Sequence, residues 1–369
     1  MNIPSPGRQE QTPSAMRRAF WTTRRAARFA TQTIQFAGQA ARGYREFLRT
    51  GTTSASAYSA MRELSWRTNG RYNDVMATLS SLRHPPRKLA LARGVLGELT
   101  RESVGRMADH IRRDGYYIFE RKLPDHMQQA LTEIGLRLPA KPLVIPKDDS
   151  FTRFEYNWLP ACRYDRTNIL STMYNFDLQL VAEQHVVQEL LTDETILAVA
   201  RAYLGTEPVI KQSMAMWWST NYLRGKASSL AAQHFHFDLD GIKFLKFFFY
   251  LNDVGPDNGP HCYVRGSHKR KPRNLLRDGR IADEEILTHY TLDDIVEITG
   301  GRGTVFVADT RGLHKGKAIR SGERLMAQLE FATSLFGPEH QRIAVNGRFS
   351  AEFRQCVRQY PRVFAIYDA

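Results

Sequence analysis

The stretch Gln233-His234-Phe235-His236-Phe237-Asp238-Leu239-Asp240-Gly241 runs into Ile242-Lys243-Phe244-Leu245-Lys246-Phe247-Phe248-Phe249-Tyr250-Leu251. A turn at Asn258-Gly259-Pro260 then leads through His261-Cys262-Tyr263-Val264 to Arg265-Gly266-Ser267-His268-Lys269. In an extended chain residues i and i+2 point the same way, so His236 and Asp238 present an imidazole and a carboxylate to one point. The apolar run through Phe247, Phe248, Phe249 and Tyr250 reads as a strand buried on both faces. His261 and His268 fall in turns beside the short Cys262–Val264 strand and read as surface or hydrogen-bonded structural residues.

Outward from this stretch the same texture continues. Strands are expected over 208–219, 242–251, 262–264, 295–298, 304–308, 317–319 and 323–333, separated by Gly and Asn turns. Many short strands of this kind predict an antiparallel barrel or a double-sheet jelly roll. Before residue 207 the pattern is helical, with helices expected over 100–113, 124–136, 181–191 and 193–204. Asp114-Gly115 is a turn into a strand at 116–120, and the proline-rich segment 140–175 is a loop suited to line a site.

The N-terminal region differs. Net charge is +14, and half of it sits in residues 1–50, where nine arginines face only Glu10 and Glu46. A helix from Ser14 to Arg49 would gather Met16, Phe20, Ala27, Ala30, Ile34, Ala41 and Leu48 on one side, and Arg17, Arg24, Arg25, Arg28 and Arg42 on another. Phe29 and Phe36 fall at the edge of the basic face. Such a helix either packs on its own domain with a solvated Arg face or lies on an anionic membrane, giving peripheral membrane contact through residues 14–49. A nucleic-acid partner is not expected. Residues 51–58 read as a linker and 60–82 as one further helix, so the chain divides into an extension at 1–95 and a catalytic domain at 96–369, with its β core at about 207–335.

Apolar residues make up 42% of the chain and charged residues 24%. With no apolar run of about 18 residues, it reads as a cytoplasmic protein, peripheral to a membrane at most. Three scattered cysteines, Cys162, Cys262 and Cys356, fit a reducing compartment and offer no zinc spacing.

Of eleven histidines only His236 has Asp at the second position after it. One distant His would complete a two-His, one-carboxylate set, which leaves open positions on Fe(II) for a co-substrate and O2. His314 follows an apolar strand at 304–308 and a turn, and Arg324 lies ten residues on. If Arg320, Ser321 and Gly322 close a hairpin pairing Ile319 with Glu323, Arg324 shares the face of His314 at roughly 13 Å. An Arg fork there suits the far carboxylate of a dicarboxylic acid. Three neighbours are candidates for contact with substrate or with the ligating side chains: His234, which shares the face of His236, and Lys211 and Trp217 on the 208–219 strand. Core packing competes for Trp217 and Met214.

Five motifs in order now carry a family resemblance: Asp114-Gly115-Tyr116-Tyr117-Ile118; His236-Phe237-Asp238; Tyr250-Leu251-Asn252-Asp253-Val254 leading into Asp257-Asn258-Gly259-Pro260; Arg265-Gly266-Ser267-His268-Lys269; and His314 with Arg324. Residues of about 100–335 resemble the phytanoyl-CoA dioxygenase family of Fe(II)- and 2-oxoglutarate-dependent oxygenases. The resemblance implies an α+β fold with a mainly β core, a double-stranded β-helix of jelly-roll or cupin-like type, with flanking helices and the N-terminal helical extension. It implies His236, Asp238 and His314 as iron ligands, Arg324 as the 2-oxoglutarate anchor, and O2 as co-substrate. The activity implied is hydroxylation of a C–H bond in a small-molecule or lipid-like substrate, releasing succinate and CO2. Asp238 favours hydroxylation over halogenation, because a halide needs the position a carboxylate takes. Members often carry a hydroxyl two residues after the distal His; here that residue is Gly316, and Ser321 is expected to substitute. The rival from another class is a membrane- or nucleic-acid-associated binding protein whose jelly roll is catalytically degenerate.

Overall fold

The computed structural model describes residues 15–87, 89–144, 157–222 and 234–368, with side chains described from residue 27. Three helices come first: α1 (Ala15–Thr50), α2 (Ala55–Thr68) and α3 (Arg71–Arg83). A hairpin of β1 (Leu91–Gly94) and β2 (Gly97–Thr100) leads to α4 (Arg101–Asp114), β3 (Tyr116–Ile118), α5 (Asp125–Arg137), β4 (Ala140–Pro142) and β5 (Met173–Phe176). Then come α6 (Leu178–Ala182), α7 (His185–Thr192) and α8 (Glu194–Leu204). The β-rich part holds β6 (Val209–Thr220), β7 (Phe244–Tyr250), β8 (His261–Val264), α9 (Asp283–Ile286), β9 (Ile295–Ile298), β10 (Val305–Ala308), β11 (His314–Gly316) and β12 (Glu323–Ala332). The chain closes with β13 (Ile343–Ala344), α10 (Ala351–Gln359) and β14 (Tyr367–Asp368).

Two antiparallel sheets form the expected jelly roll: a large one in the order β3-β10-β7-β12-β6-β5-β4 and a small one in the order β11-β8-β9. Strand parity sorts the side chains between two environments. On β7, Leu245, Phe247 and Phe249 join the core under the helices, and on β12 so do Leu325, Ala327, Leu329 and Phe331. The alternate residues face the small sheet, where Phe248, Tyr250 and Met326 pack with Tyr263 and Ile298. All seven residues of β7 are buried, as a strand covered on both faces requires.

Several expectations are corrected. The single helix at 60–82 is two helices, because Asn69 turns left-handed (φ 51°) and Gly70 follows at φ 83°. A left-handed residue of this kind ends a helix. The linker at 51–58 is shorter than expected, since Ser54 caps α2 through its hydroxyl. The strand expected at 317–319 sits at His314–Gly316, and β12 pairs with β6 and β7 instead of forming a 319–323 hairpin. Pairing of residue 319 is with Asn258. The apolar stripe assigned to α1 also shifts: Ile34 is 73% exposed, whereas Phe36, Ala40, Tyr44 and Phe47 pack against α2, α3 and Phe336. Much of the 140–175 loop, at 145–156, lies outside the described residues.

The extension is fastened to the β core. Asn73 donates to the Ile242 carbonyl at 2.8 Å, Ser80 to the Thr333 carbonyl at 3.0 Å, and Arg311 pairs with Asp74 at 3.1 Å. No helix among the described residues is long and apolar enough to cross a membrane.

Gly115 caps α4 at φ 91° and delivers the chain into β3. A Cβ there would lie 2.2 Å from the Tyr263 hydroxyl, which donates to the Asp309 carbonyl at 2.8 Å. Gly115→Ala therefore combines a disfavoured backbone with a buried clash and should lower unfolding free energy by about 2 kcal/mol or more. Urea melts at unchanged m-value test this; a loss under about 0.5 kcal/mol contradicts it.

Candidate metal centre and its pocket

His236 and His314 exchange both backbone hydrogen bonds, at 3.0 and 2.9 Å, so the segment around residue 236 lies antiparallel to β11. Asp238 N continues the pairing with the Thr310 carbonyl at 2.8 Å. The rings of His236 and His314 come to 4.3 Å between centroids. His236 Nε2 is 3.9 Å from Asp238 Oδ1, and His314 Nε2 is 3.6 Å from Oδ2. One ligand atom from each residue falls within 4.8 Å of the others.

Each imidazole is held by its other nitrogen. His236 Nδ1 lies 3.2 Å from the His234 carbonyl and His314 Nδ1 lies 2.9 Å from the Gly312 carbonyl. A carbonyl only accepts, so Nδ1 carries the proton and the Nε2 lone pairs face the shared point. Burial lowers the pKa of both rings, which keeps them neutral as metal binding requires. Two neutral imidazoles and a carboxylate, oriented before any ion arrives, fit a divalent transition metal. His234 thus contributes its backbone carbonyl, and its side chain does not line the pocket.

Behind Asp238 stands a residue that sequence reasoning passed over. Lys246 donates to Asp238 Oδ2 at 2.8 Å and to Asp240 Oδ2 at 2.7 Å, with Glu330 at 3.8 Å. Burial alone would push Asp238 up, but the Lys246 ammonium outweighs it and holds the carboxyl well below the usual range. The signal was present: a lysine inside an otherwise apolar run, at the parity of Phe248 and Tyr250. Lys211 belongs to the same buried cluster, where burial lowers its pKa against the pull of Glu330. It does not line the pocket, and its Nζ has no hydrogen-bond partner among the described residues.

The pocket encloses about 540 Å³ between the two sheets. Trp217, Phe248, Arg324, Met326 and Gln328 reach it from the large sheet, and His236, His261 and His314 from the small one. Arg324 arrives by the parity of β12, opposite Ser219 of β6, and not through the expected hairpin. Its Nη1 donates to the Gly259 carbonyl and its Nη2 to Ser219 Oγ at 3.4 Å, while Nε has no partner among the described residues. Ser321 is corrected: it lies exposed on the 320–322 turn, its carbonyl accepting from Asn258 at 2.9 Å, and the hydroxyl beside the guanidinium is that of Ser219. A Cβ at Gly316 would approach Arg324 Nη2 to 3.3 Å, so a hydroxyl side chain there would press on the guanidinium.

His261 is also corrected. It opens β8, is 5% exposed, stacks on His314 at 5.4 Å, lies tilted against Phe248 at 5.0 Å, and leaves Nε2 without a partner among the described residues. The extension contributes too. Tyr58 and Arg62 of α2 line the pocket mouth, Tyr58 donating to the Leu239 carbonyl at 3.3 Å and Arg62 pairing with Asp278 at 2.6 Å.

A family model described as phytanoyl-CoA dioxygenase matches residues 111–326. No curated protein matches the chain. Among solved structures, AviO1 from Streptomyces viridochromogenes Tue57 is 20% identical, covering 64% of this chain and 96% of its own, at a TM-score of 0.40. EctD from S. alaskensis with bound Fe is 20% identical over 67% of this chain and 83% of its own, at 0.41. HygX from Streptomyces hygroscopicus with nickel, 2-oxoglutarate and hygromycin B bound is 17% identical over 69% and 94%, at 0.40.

Burial pushes Glu330 up to about 7, with Lys246 pulling against it. Between its ordinary value and about 7 the folded protein holds a proton that the unfolded chain has lost, so stability from this group falls as pH rises through that window. Glu330→Gln should therefore gain about 1–3 kcal/mol relative to wild type between about pH 5 and pH 7.5. Urea melts at both values test it, and a difference independent of pH refutes it.

Proposed function

Because the chain belongs to the phytanoyl-CoA dioxygenase family of Fe(II)- and 2-oxoglutarate-dependent oxygenases, we propose that His236, Asp238 and His314 hold its iron and that it hydroxylates a C–H bond of a polar small molecule. The observation that most supports this is the meeting of three ligand atoms within 4.8 Å, both imidazoles already turned by backbone carbonyls. Bound iron with 2-oxoglutarate and O2 supplies the oxidant, and succinate and CO2 are released.

The protein's own part is positional. Arg324 takes the far carboxylate of 2-oxoglutarate, with Ser219 orienting its fork. His261 adds a second contact, because an anionic oxygen between its Nε2 and Arg324 Nε satisfies two buried groups that otherwise lack partners. Lys246 fixes the rotation of Asp238 by engaging one of its oxygens, leaving the other for the metal. Phe248, Met326 and Trp217 form an apolar wall that limits water near the reacting carbon.

A polar substrate is preferred to a lipid-like one because the mouth carries Arg62, Asp240, Asp278 and Arg280. Charged walls cost an acyl chain their desolvation and give it no partner. The catalytic domain is taken as residues 96–369, with the 1–95 extension completing the mouth through Tyr58 and Arg62.

Anaerobic titration with Fe(II) and then 2-oxoglutarate, read by visible absorption, and succinate release under O2 test the proposal. Wild type should bind one iron per chain and release succinate, and a chelator should abolish the release. His236→Ala, Asp238→Ala and His314→Ala should lose iron; Arg324→Ala should keep iron but weaken 2-oxoglutarate binding by about tenfold or more. His261→Leu should weaken it less, and His261→Gln should restore part of the loss. Absence of 2-oxoglutarate-dependent succinate from iron-loaded wild type contradicts the proposed function.

A further inference from the structure

We propose that the groove between α2 and residues 269–276 is a second binding site, for a phosphate-bearing small anion. The groove encloses about 1700 Å³ beside the catalytic pocket. Arg67 and Arg71 stand on one wall and Lys269, Arg270, Lys271 and Arg273 on the other, against a single lining carboxylate among the described residues, Glu63; Arg67 is already taken by Glu63 at 3.2 Å, Gln32 Oε1 at 3.1 Å and the Phe29 carbonyl at 3.3 Å, which leaves the other five. Cations gathered along one groove with so little acidic compensation make a positive potential that favours an anion of multiple charge.

The basic wall is fixed in place by α2. Asn69 donates to the Lys271 carbonyl at 2.8 Å and accepts from the Lys271 amide at 3.1 Å, so the helix break at residue 69 clamps the basic segment through a reciprocal pair. Within this frame one buried donor lacks an acceptor. Trp66 Nε1 is buried in the groove with no hydrogen-bond partner among the described residues. Lys271 is buried, its Nζ lying 4.6 Å over the ring of Phe237. The nearest acid acting on it, Asp309, is taken by Arg311 at 2.7 Å. Burial, then Arg311, lowers the Lys271 pKa to about 7, so a bound anion would repay its desolvation by holding it charged. A phosphate, with several acceptor oxygens, can meet the indole N–H, the ammonium and a guanidinium at once.

Groove and catalytic pocket share a wall. Phe237, under Lys271, lines the catalytic pocket, and the Arg62 guanidinium lies between Tyr58 (5.7 Å) at that pocket and Trp66 (5.1 Å) in the groove. The phosphate could accordingly come from a separate metabolite or from the far end of the oxidised substrate.

Binding here needs neither iron nor 2-oxoglutarate, so it is tested independently of the oxygenase proposal. Inorganic pyrophosphate is titrated into the full-length protein at about 50 mM salt by calorimetry and by tryptophan fluorescence. Wild type should bind one equivalent, with affinity falling as salt rises. Arg270→Glu with Arg273→Glu, both exposed positions, should weaken binding about tenfold or more while leaving the circular dichroism melt unchanged. Trp66→Phe should lose most of the fluorescence change. Organic phosphates that raise succinate release above the uncoupled rate would identify the substrate's own phosphate as occupant; those that bind without raising it would identify a separate ligand. No pyrophosphate binding, binding unaffected by the double charge reversal, or capture only by vesicles containing phosphatidylglycerol would overturn the proposal.

Discussion

The backbone pairing of His236 with His314 is the constraint on which the centre depends. One residue sits in a short bridged segment after residue 233 and the other on an edge strand of the small sheet, far apart in the chain. Two hydrogen bonds of 3.0 and 2.9 Å set them opposite each other, and the extended geometry brings Asp238 to the same point. A slip of one residue in this pairing would turn one imidazole away from the other. The carbonyls of His234 and Gly312, each two residues before one of these histidines, then set the rings. Backbone geometry thus does most of the ordering, and side-chain entropy has little left to lose.

Parity does the corresponding work on the opposite sheet. Arg324, Met326, Gln328 and Glu330 alternate with Leu325, Ala327, Leu329 and Phe331 along β12, so one strand supplies both the inner polar row and the outer core. The inner row is costly. In the cluster of Lys246, Asp238, Asp240, Glu330 and Lys211, mutual attraction outweighs desolvation for Lys246 and Asp238 but only partly offsets it for Glu330 and Lys211. The raised pKa of Glu330 and the lowered one of Lys211 both register that deficit. Stability given up in this way at a site is recovered elsewhere, here in the aromatic core under the helices.

Much of this was legible in the chain. The His236-Phe237-Asp238 tripeptide, His314 and Arg324 announce themselves by residue type and order, and the apolar run at 247–250 identifies a doubly covered strand. What escaped were relations set by tertiary pairing. The route from His314 to Arg324 crosses from one sheet to the other, so a local hairpin was the wrong geometry and Ser321 the wrong hydroxyl. Ser219 lies over a hundred positions away, and only the β6–β12 register brings it to Arg324. His261 reads as a turn residue beside the Cys262–Val264 strand, yet the pairing of β8 with β11 buries it. The stripe of α1 failed because helix α2, and not the β core alone, defines which face is covered.

The row Tyr58, Arg62 and Trp66, one helical turn apart on α2, has a consequence for how this enzyme could diversify. It lies outside residues 111–326, the part matched by the family model, yet Tyr58 and Arg62 line the catalytic pocket while Trp66 lines the neighbouring groove. Part of the pocket lining is therefore carried by a stretch of the gene outside the family-matched part. Changes in the first hundred codons can reshape that part of the lining without touching the residues that meet around His236 and His314.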